Sequence, residues 1–218
     1  MSSIDAEFLI EIGEKYLKGD GLPQSTGIAV EMFSTAQVVG EQNPNCDGPS
    51  LSFLISKTIL ERFERIRWES EGELEWGFDK KDGLLILKGK GPLEDYADGR
   101  KTCKTRDYGI FDDVPWRKKY KDQIQSAVAC YGVSSIGRNA FYNCPSLESV
   151  VIPGSVASIG RCAIDSCSSL TSVTFLKSVK TIGNFAFYYC TRLKTISVPK
   201  GIGLPFNSFP RSAKINKY

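Results

Sequence analysis

Apolar positions change their spacing twice along this chain. Near the N-terminus, Phe8, Leu9, Ile12, Tyr16 and Leu17 recur at helical intervals, after Ser3 or Asp5 as caps and before the stop at Gly19 to Gly21. A second helix is expected from Ser25 or Thr26 to Gly40, and a third over residues 50–68 with Leu51, Leu54, Ile55, Ile59 and Phe63 on its buried face. The period then shortens to two. Leu74, Trp76 and Phe78 alternate with polar residues, Asp82-Gly83 makes a turn, and "LLILKG" returns as the partner strand of a β-hairpin. Residues 92–120 lack periodicity and read as a long ordered loop pinned by Tyr96, Phe111 and Trp116.

A longer repeat governs the rest. Ile136, Ile159 and Ile182 lie 23 residues apart, each followed by glycine. Ala140, Ala163 and Ala186 keep the same interval, as do Phe141, Ile164 and Phe187, Cys144, Cys167 and Cys190, and Leu147, Leu170 and Leu193. A last copy, through Leu204, Ser208 and Phe209, follows at 22. A fixed short period predicts a solenoid, in which no coil buries enough to fold alone and neighbours supply the stability. Within each coil, "SLxSVxIP" reads as one strand, "VxxIG" as a second extended stretch, and "GxxAFxxC" as a tight helical turn between them. The cysteines form a column at a bend that admits a small apolar side chain.

The repeat phrase "sIGxxAFxxCxxLxsVxIPxsV" resembles the BspA-like leucine-rich repeat family. The resemblance extends upstream through Gly89-Lys90-Gly91, Asp95-Tyr96 and Pro115-Trp116, and so covers about residues 72–210. Ile164 for Phe, Leu176 for Pro and the shortened last coil depart from it. The first two helices resemble a single Sel-one-like repeat, related to the tetratricopeptide helix pair, on Ala6, Ile12, Gly13, Tyr16, Gly19, Gly21, Leu22, Ala29, Phe33, Ala36 and Gly40. Ser25 and Thr26 stand where that family places an acidic residue. The fold class expected is therefore α+β. An N-terminal helical hairpin or three-helix module (1–68) precedes a β-hairpin and loop capping the solenoid (69–122), and then a leucine-rich-repeat β-solenoid with 23-residue coils (123–218).

Charge adds a direction. Residues 130–218 hold ten Lys/Arg and two Asp/Glu, whereas residues 1–68 hold six and ten. A basic rear joined to an acidic front points to an acidic partner. Arg138, Tyr142, Arg161, Lys180, Phe185, Tyr188, Tyr189 and Lys194 are the candidate partner-binding residues, a basic and aromatic set on non-core positions. The helical module is expected to meet a second protein partner or the solenoid itself. Nucleic acid is a weaker alternative that a steep salt dependence would reveal.

Enzymatic chemistry finds little to use. The chain has no histidine and no CxxC pair, so imidazole bases and His-containing metal sites are excluded. Seven cysteines make an odd count for a disulfide framework; Cys46 and Cys103, in loops, are the more reactive candidates. "GKGPLED" lacks the GK[ST] ending of a phosphate loop and reads as the turn closing the hairpin. Asp112-Asp113 and Glu94-Asp95 read as solvated loop acids near "RKKYK". The expectation is a non-enzymatic interaction scaffold or assembly subunit with no cofactor and no metal. No run of eighteen apolar residues predicts membrane insertion, and the acidic N-terminus does not read as a secretory signal. A cytoplasmic location is expected. The family resemblance carries the alternative of a surface-exposed adhesin for host or matrix proteins, should a leader precede this sequence.

Overall fold

The computed structural model describes residues 66–96, 114–130, 132–175, 179–205 and 207–218. The first two expected helices, most of the third, the Sel-one-like repeat, Cys46, Cys103, Phe111 and Asp112-Asp113 lie outside the described residues.

The hairpin forms as the alternation predicts. β2 (Leu74–Asp79) and β3 (Leu84–Gly89) pair antiparallel, with Trp76 opposite Leu87 and Phe78 opposite Leu85. A strand not foreseen, β1 (Trp68–Glu71), adds to β2 with Trp68 opposite Gly77. The third helix therefore does not run to Trp68. Gly77 explains the change, because a Cβ there would collide with the Ile66 side chain. Only glycine lets this stretch of chain lie so close to β2.

β3 then pairs parallel with β5 (Ser126–Ala129), so the hairpin joins the solenoid wall as its first rung. β5 pairs with β7 (Ser149–Ile152), and β7 with β9 (Ser172–Phe175), completing the six-stranded sheet β1-β2-β3-β5-β7-β9. A second wall stacks β4 (Gly91–Pro92), β6 (Val133–Ile136), β8 (Ser158–Ile159) and β10 (Thr181–Ile182) in parallel. β11 (Thr195–Val198) and β12 (Lys214–Lys217) pair parallel in a third sheet. Thr195 stands opposite Lys214, so the last coil closes in fewer residues than the others.

Gly89-Lys90-Gly91 is not the turn that closes the hairpin. It is the corner where the chain leaves the first wall for the second, with φ near +120° at both glycines (121° and 119°). Residues 114–120 depart from the expected loop as well. Pro115–Tyr120 is a short helix, α1, with Pro115 in its first turn, where a missing N–H costs nothing. α1 places Trp116, fully buried, beneath the first coil. The Trp116 indole Nε1 donates to Ala140 O at 3.0 Å, and its ring lies 6.2 Å from Phe141. Trp116 thus begins the column that continues through Phe141, Ile164, Phe187 and Phe209, and the last two rings stack at 5.1 Å.

Every inward column expected from the 23-residue period lies in one continuous core or packs against it. The repeated "IG" also has a structural reason. A Cβ on Gly160 would sit 2.7 Å from Arg138 N, and one on Gly183 2.6 Å from Arg161 N. Successive coils touch backbone to backbone at this corner, and a side chain would force them apart.

Candidate protein-interaction surface

The third wall of each coil is the segment between the "IG" corner and the cysteine. A helical turn is expected there, but the chain takes two successive tight turns with left-handed residues at fixed places. Asn139, Cys162 and Phe185 have φ of 59°, 53° and 61°; Asn143, Ser166 and Tyr189 have 54°, 62° and 55°. A left-handed residue ends a helical turn after one step. It also aims alternate amides along the solenoid axis. Phe141 N donates to Ala163 O at 2.7 Å, Ile164 N to Ala186 O at 2.8 Å and Phe187 N to Ser208 O at 2.8 Å. This wall is a hydrogen-bonded ladder built from turns.

The cysteine column belongs to the same ladder. The Cys167 thiol donates to Phe141 O and the Cys190 thiol to Ile164 O, each at 3.0 Å. Each thiol therefore satisfies a carbonyl of the preceding coil as well as filling a bend. None of the described cysteines is in a disulfide. Burial pushes the Cys144 and Cys190 thiols up to about 12 and Cys167 well above its ordinary value. Thiols held neutral in this way are structural rather than nucleophilic. Among the described residues, no group of His, Cys, Asp and Glu gathers to hold a metal ion.

Outward positions of the turn wall carry the candidate side chains. Arg138 and Arg161 share one column, Phe185 sits in the next beside Cys162, and Tyr142 and Tyr188 flank Asp165 in a third. Arg161 lies 5.5 Å from the Phe185 ring, Phe185 meets Tyr188 edge-on at 5.3 Å, and Tyr188 meets Tyr189 at 4.2 Å. Tyr189 is 51% exposed. The structure thus brings six of the eight candidates onto one ridge: Arg138, Tyr142, Arg161, Phe185, Tyr188 and Tyr189. Lys180 and Lys194 are not on it. Lys180 enters the second wall, its amide bonded to Ala157 O, and Lys194 precedes β11 with its ammonium donating to Thr191 O at 3.3 Å.

Two ridge residues escaped the sequence reading. Arg117 is buried, donates to Asn139 O at 3.5 Å and lies 5.5 Å from the Tyr142 ring, repeating the Arg161–Phe185 arrangement two coils earlier. Its place directly after the capping Trp116 was the available signal. Asp165 is buried between the two tyrosine positions and accepts from Ser166 Oγ at 3.0 Å. Burial raises its carboxyl to about 6. Reading the period at outward as well as inward positions would have found it.

The 23-residue repeat has a counterpart among known families. Residues 119–217 match the family model for the BspA type leucine rich repeat region, in six copies. Among solved structures, a leucine-rich repeat protein from Eubacterium ventriosum is 22% identical with a TM-score of 0.52, over 69% of this chain and 43% of that one. At that identity the likeness shows the fold alone. A leucine-rich repeat protein from Bacteroides ovatus is 30% identical over 44% of this chain and 25% of its own, with a TM-score of 0.43. A leucine rich cell surface protein from Faecalibacterium prausnitzii is 23% identical over 70% and 43%, at 0.44. The chain spans less than half the length of each of these three. No curated protein matches it. Among the described residues no helix is long and apolar enough to cross a membrane.

Proposed function

We propose that this BspA-type repeat protein is a non-enzymatic protein-interaction scaffold or assembly subunit. Its turn ridge contacts an acidic protein partner. The observation that carries this reading is the backbone of Phe185 and Tyr189. Both hold bulky aromatic side chains in a left-handed conformation that costs an ordinary L-residue ~1–2 kcal/mol. The first coil fills the same two places with Asn, the side chain best suited to that conformation. A half-exposed Tyr189 ring and a partly buried Phe185 ring beside Arg161, both retained against a backbone cost, fit binding anchors better than packing residues. The ten-to-two excess of basic residues after residue 130 sets the sign of the partner.

The test starts from the natural complex, recovered with the native protein and its members identified. Arg161→Glu and Phe185→Asn on the ridge should release the acidic partner. Lys180→Glu and Lys194→Glu, on the other walls, should release it much less. A partner retained by both ridge variants would end the proposal. Release by the lysine variants alone would move the contact to the other walls.

A further inference from the structure

β2, β3, β5 and β7 each have a strand on both sides, whereas β12 stands at the edge of its sheet. Lys214 N donates to Lys194 O at 2.8 Å and Tyr218 N to Val198 O at 3.1 Å, while Tyr218 O accepts from Lys200 N at 2.8 Å. These groups face the preceding coil. Backbone groups of successive strand residues point to alternate sides, so the N–H and C=O of Ile215 and Lys217 face the open edge. They lie where a further coil would add a strand ~4.8 Å on. The side chains give the same picture. Leu85, Ala127, Val150 and Val173 form one inward column in register, and Ile196 and Ile215 extend it. Val150 and Ile196 are each 2% exposed, but Ile215 is 38% exposed. The apolar column reaches β12 and stops there uncovered.

We propose that β12 accepts an extended acidic segment of a partner protein as a further parallel strand. Charge selects the occupant. Residues 166–218 hold eight Lys/Arg and no Asp/Glu, and Lys214 and Lys217 stand exposed on β12 itself. Lysine on an edge strand turns away apolar and basic strands. No acid within those residues offsets it, so an acidic strand is attracted. Backbone chemistry selects a peptide over a nucleic acid. The edge presents carbonyls as well as amides, and a phosphate has no donor for the carbonyls. Cross-strand pairing then fixes the sequence of the incoming segment. It places an acid beside Lys214, an apolar side chain over Ile215, a polar one beside Asn216 and a second acid over Lys217. The phrase selected is acid–apolar–polar–acid. This site lies at the end of the first wall, away from the turn ridge, and stands whether or not the ridge is bound.

The probe is a synthetic peptide, Thr-Thr-Glu-Val-Thr-Glu-Thr-Thr, added at millimolar concentration to the full chain. Amide hydrogen exchange is followed residue by residue by NMR. In the free protein the Ile215 and Lys217 amides should exchange fast, and those of Lys214 and Tyr218, bonded to the preceding coil, slowly. The peptide should slow Ile215 and Lys217 about tenfold or more, as closing an open edge does, and leave the other two unchanged. Lys214→Glu with Lys217→Glu, at exposed positions where the fold tolerates substitution, should abolish the effect. Arg161→Glu on the ridge should not. The peptide with two successive central prolines, or with lysine in place of its glutamates, should have no effect. Unaltered exchange at Ile215 and Lys217 overturns the proposal. So does a response confined to Tyr188 and Tyr189, which leaves acidic segments to the ridge alone. Protection of Ile215 and Lys217 before any peptide is added overturns it as well. Fading on dilution would then assign the edge to a second copy, and persistence to another part of this chain.

Discussion

Replacing Tyr189 separates what its backbone costs from what its ring contributes. Its φ is 55°, close to the 54° of Asn143 and the 62° of Ser166 in the same column, so the fold imposes the conformation whatever the side chain. An alanine there still bears the left-handed cost of ~1–2 kcal/mol, whereas asparagine relieves much of it. Both substitutions remove the ring and its contact with Tyr188 at 4.2 Å. For a side chain 51% exposed, that contact is worth ~0.5 kcal/mol, the low end for aromatic pairs. Tyr189→Ala should therefore lose ~0.5 kcal/mol, and Tyr189→Asn should equal or exceed the wild-type protein. The two variants should differ by ~1 kcal/mol, which for a domain of this size is about 2–4 °C in Tm. Thermal and urea unfolding followed by circular dichroism measures this directly. An alanine variant as stable as the asparagine variant would show that the left-handed position carries no cost, and the case for Phe185 and Tyr189 as retained anchors would lose its basis.

Two further outcomes follow from the ladder. Gly160→Ala places a Cβ 2.7 Å from Arg138 N and should cost ~1–3 kcal/mol in urea unfolding, as overpacking does. Gly203→Ala, with no atom within 4 Å of the new Cβ, should stay within about 0.5 kcal/mol of wild type. Asp165 sets a pH dependence. Burial raises its folded carboxyl from an ordinary 3.8 to about 6, so the folded state holds that proton over an interval where the unfolded chain has released it. The contribution is fully present below about pH 4 and is lost as pH rises through about 6. Asp165→Asn should flatten this part of the stability profile; a profile identical to wild type over that interval would contradict the assignment.

The inward half of the solenoid was legible because stacking makes identical demands at each coil. Ile136, Ile159 and Ile182 must recur, since each faces the same neighbours above and below. The alternation of Leu74, Trp76 and Phe78 was legible for a similar reason, as β2 has one face on the core. The features that escaped depend on contacts between segments far apart in sequence. β1 exists because Gly77 admits Ile66. α1 is a helix because Trp116 finds a place under Phe141. The turns of the third wall break the helical expectation because alternate amides, such as those of Phe141 and Ile164, bond to the next coil while the amides between them close the turns, a preference that no single copy of "GxxAFxxC" displays. Six of the eight binding candidates came together because aromatic and basic residues cluster between the "IG" corner and the cysteine. Lys180 and Lys194 were grouped with them by charge alone, which is blind to the wall a residue stands on.

In a repeat of this kind, information lies where a column stops repeating. Inward columns are held constant by packing, so their constancy says nothing about partners. Outward columns are under no such demand, and two of them change along the axis in opposite senses. On the first wall, Ile86, Val128 and Val151 give way to Thr174, Ser197 and Asn216, so apolar character fades toward the C-terminal end. On the turn wall, Asn139 gives way to Cys162 and then Phe185, and Asn143 to Ser166 and then Tyr189, so aromatic character grows in that direction. A gradient shared by both walls would fit one partner wrapping the solenoid. Opposed gradients on different walls fit two separate contacts, one on the apolar face of the early rungs and one at the aromatic cluster of the late coil. The coil geometry is the same at both ends; side chains that packing leaves unconstrained make the two ends different.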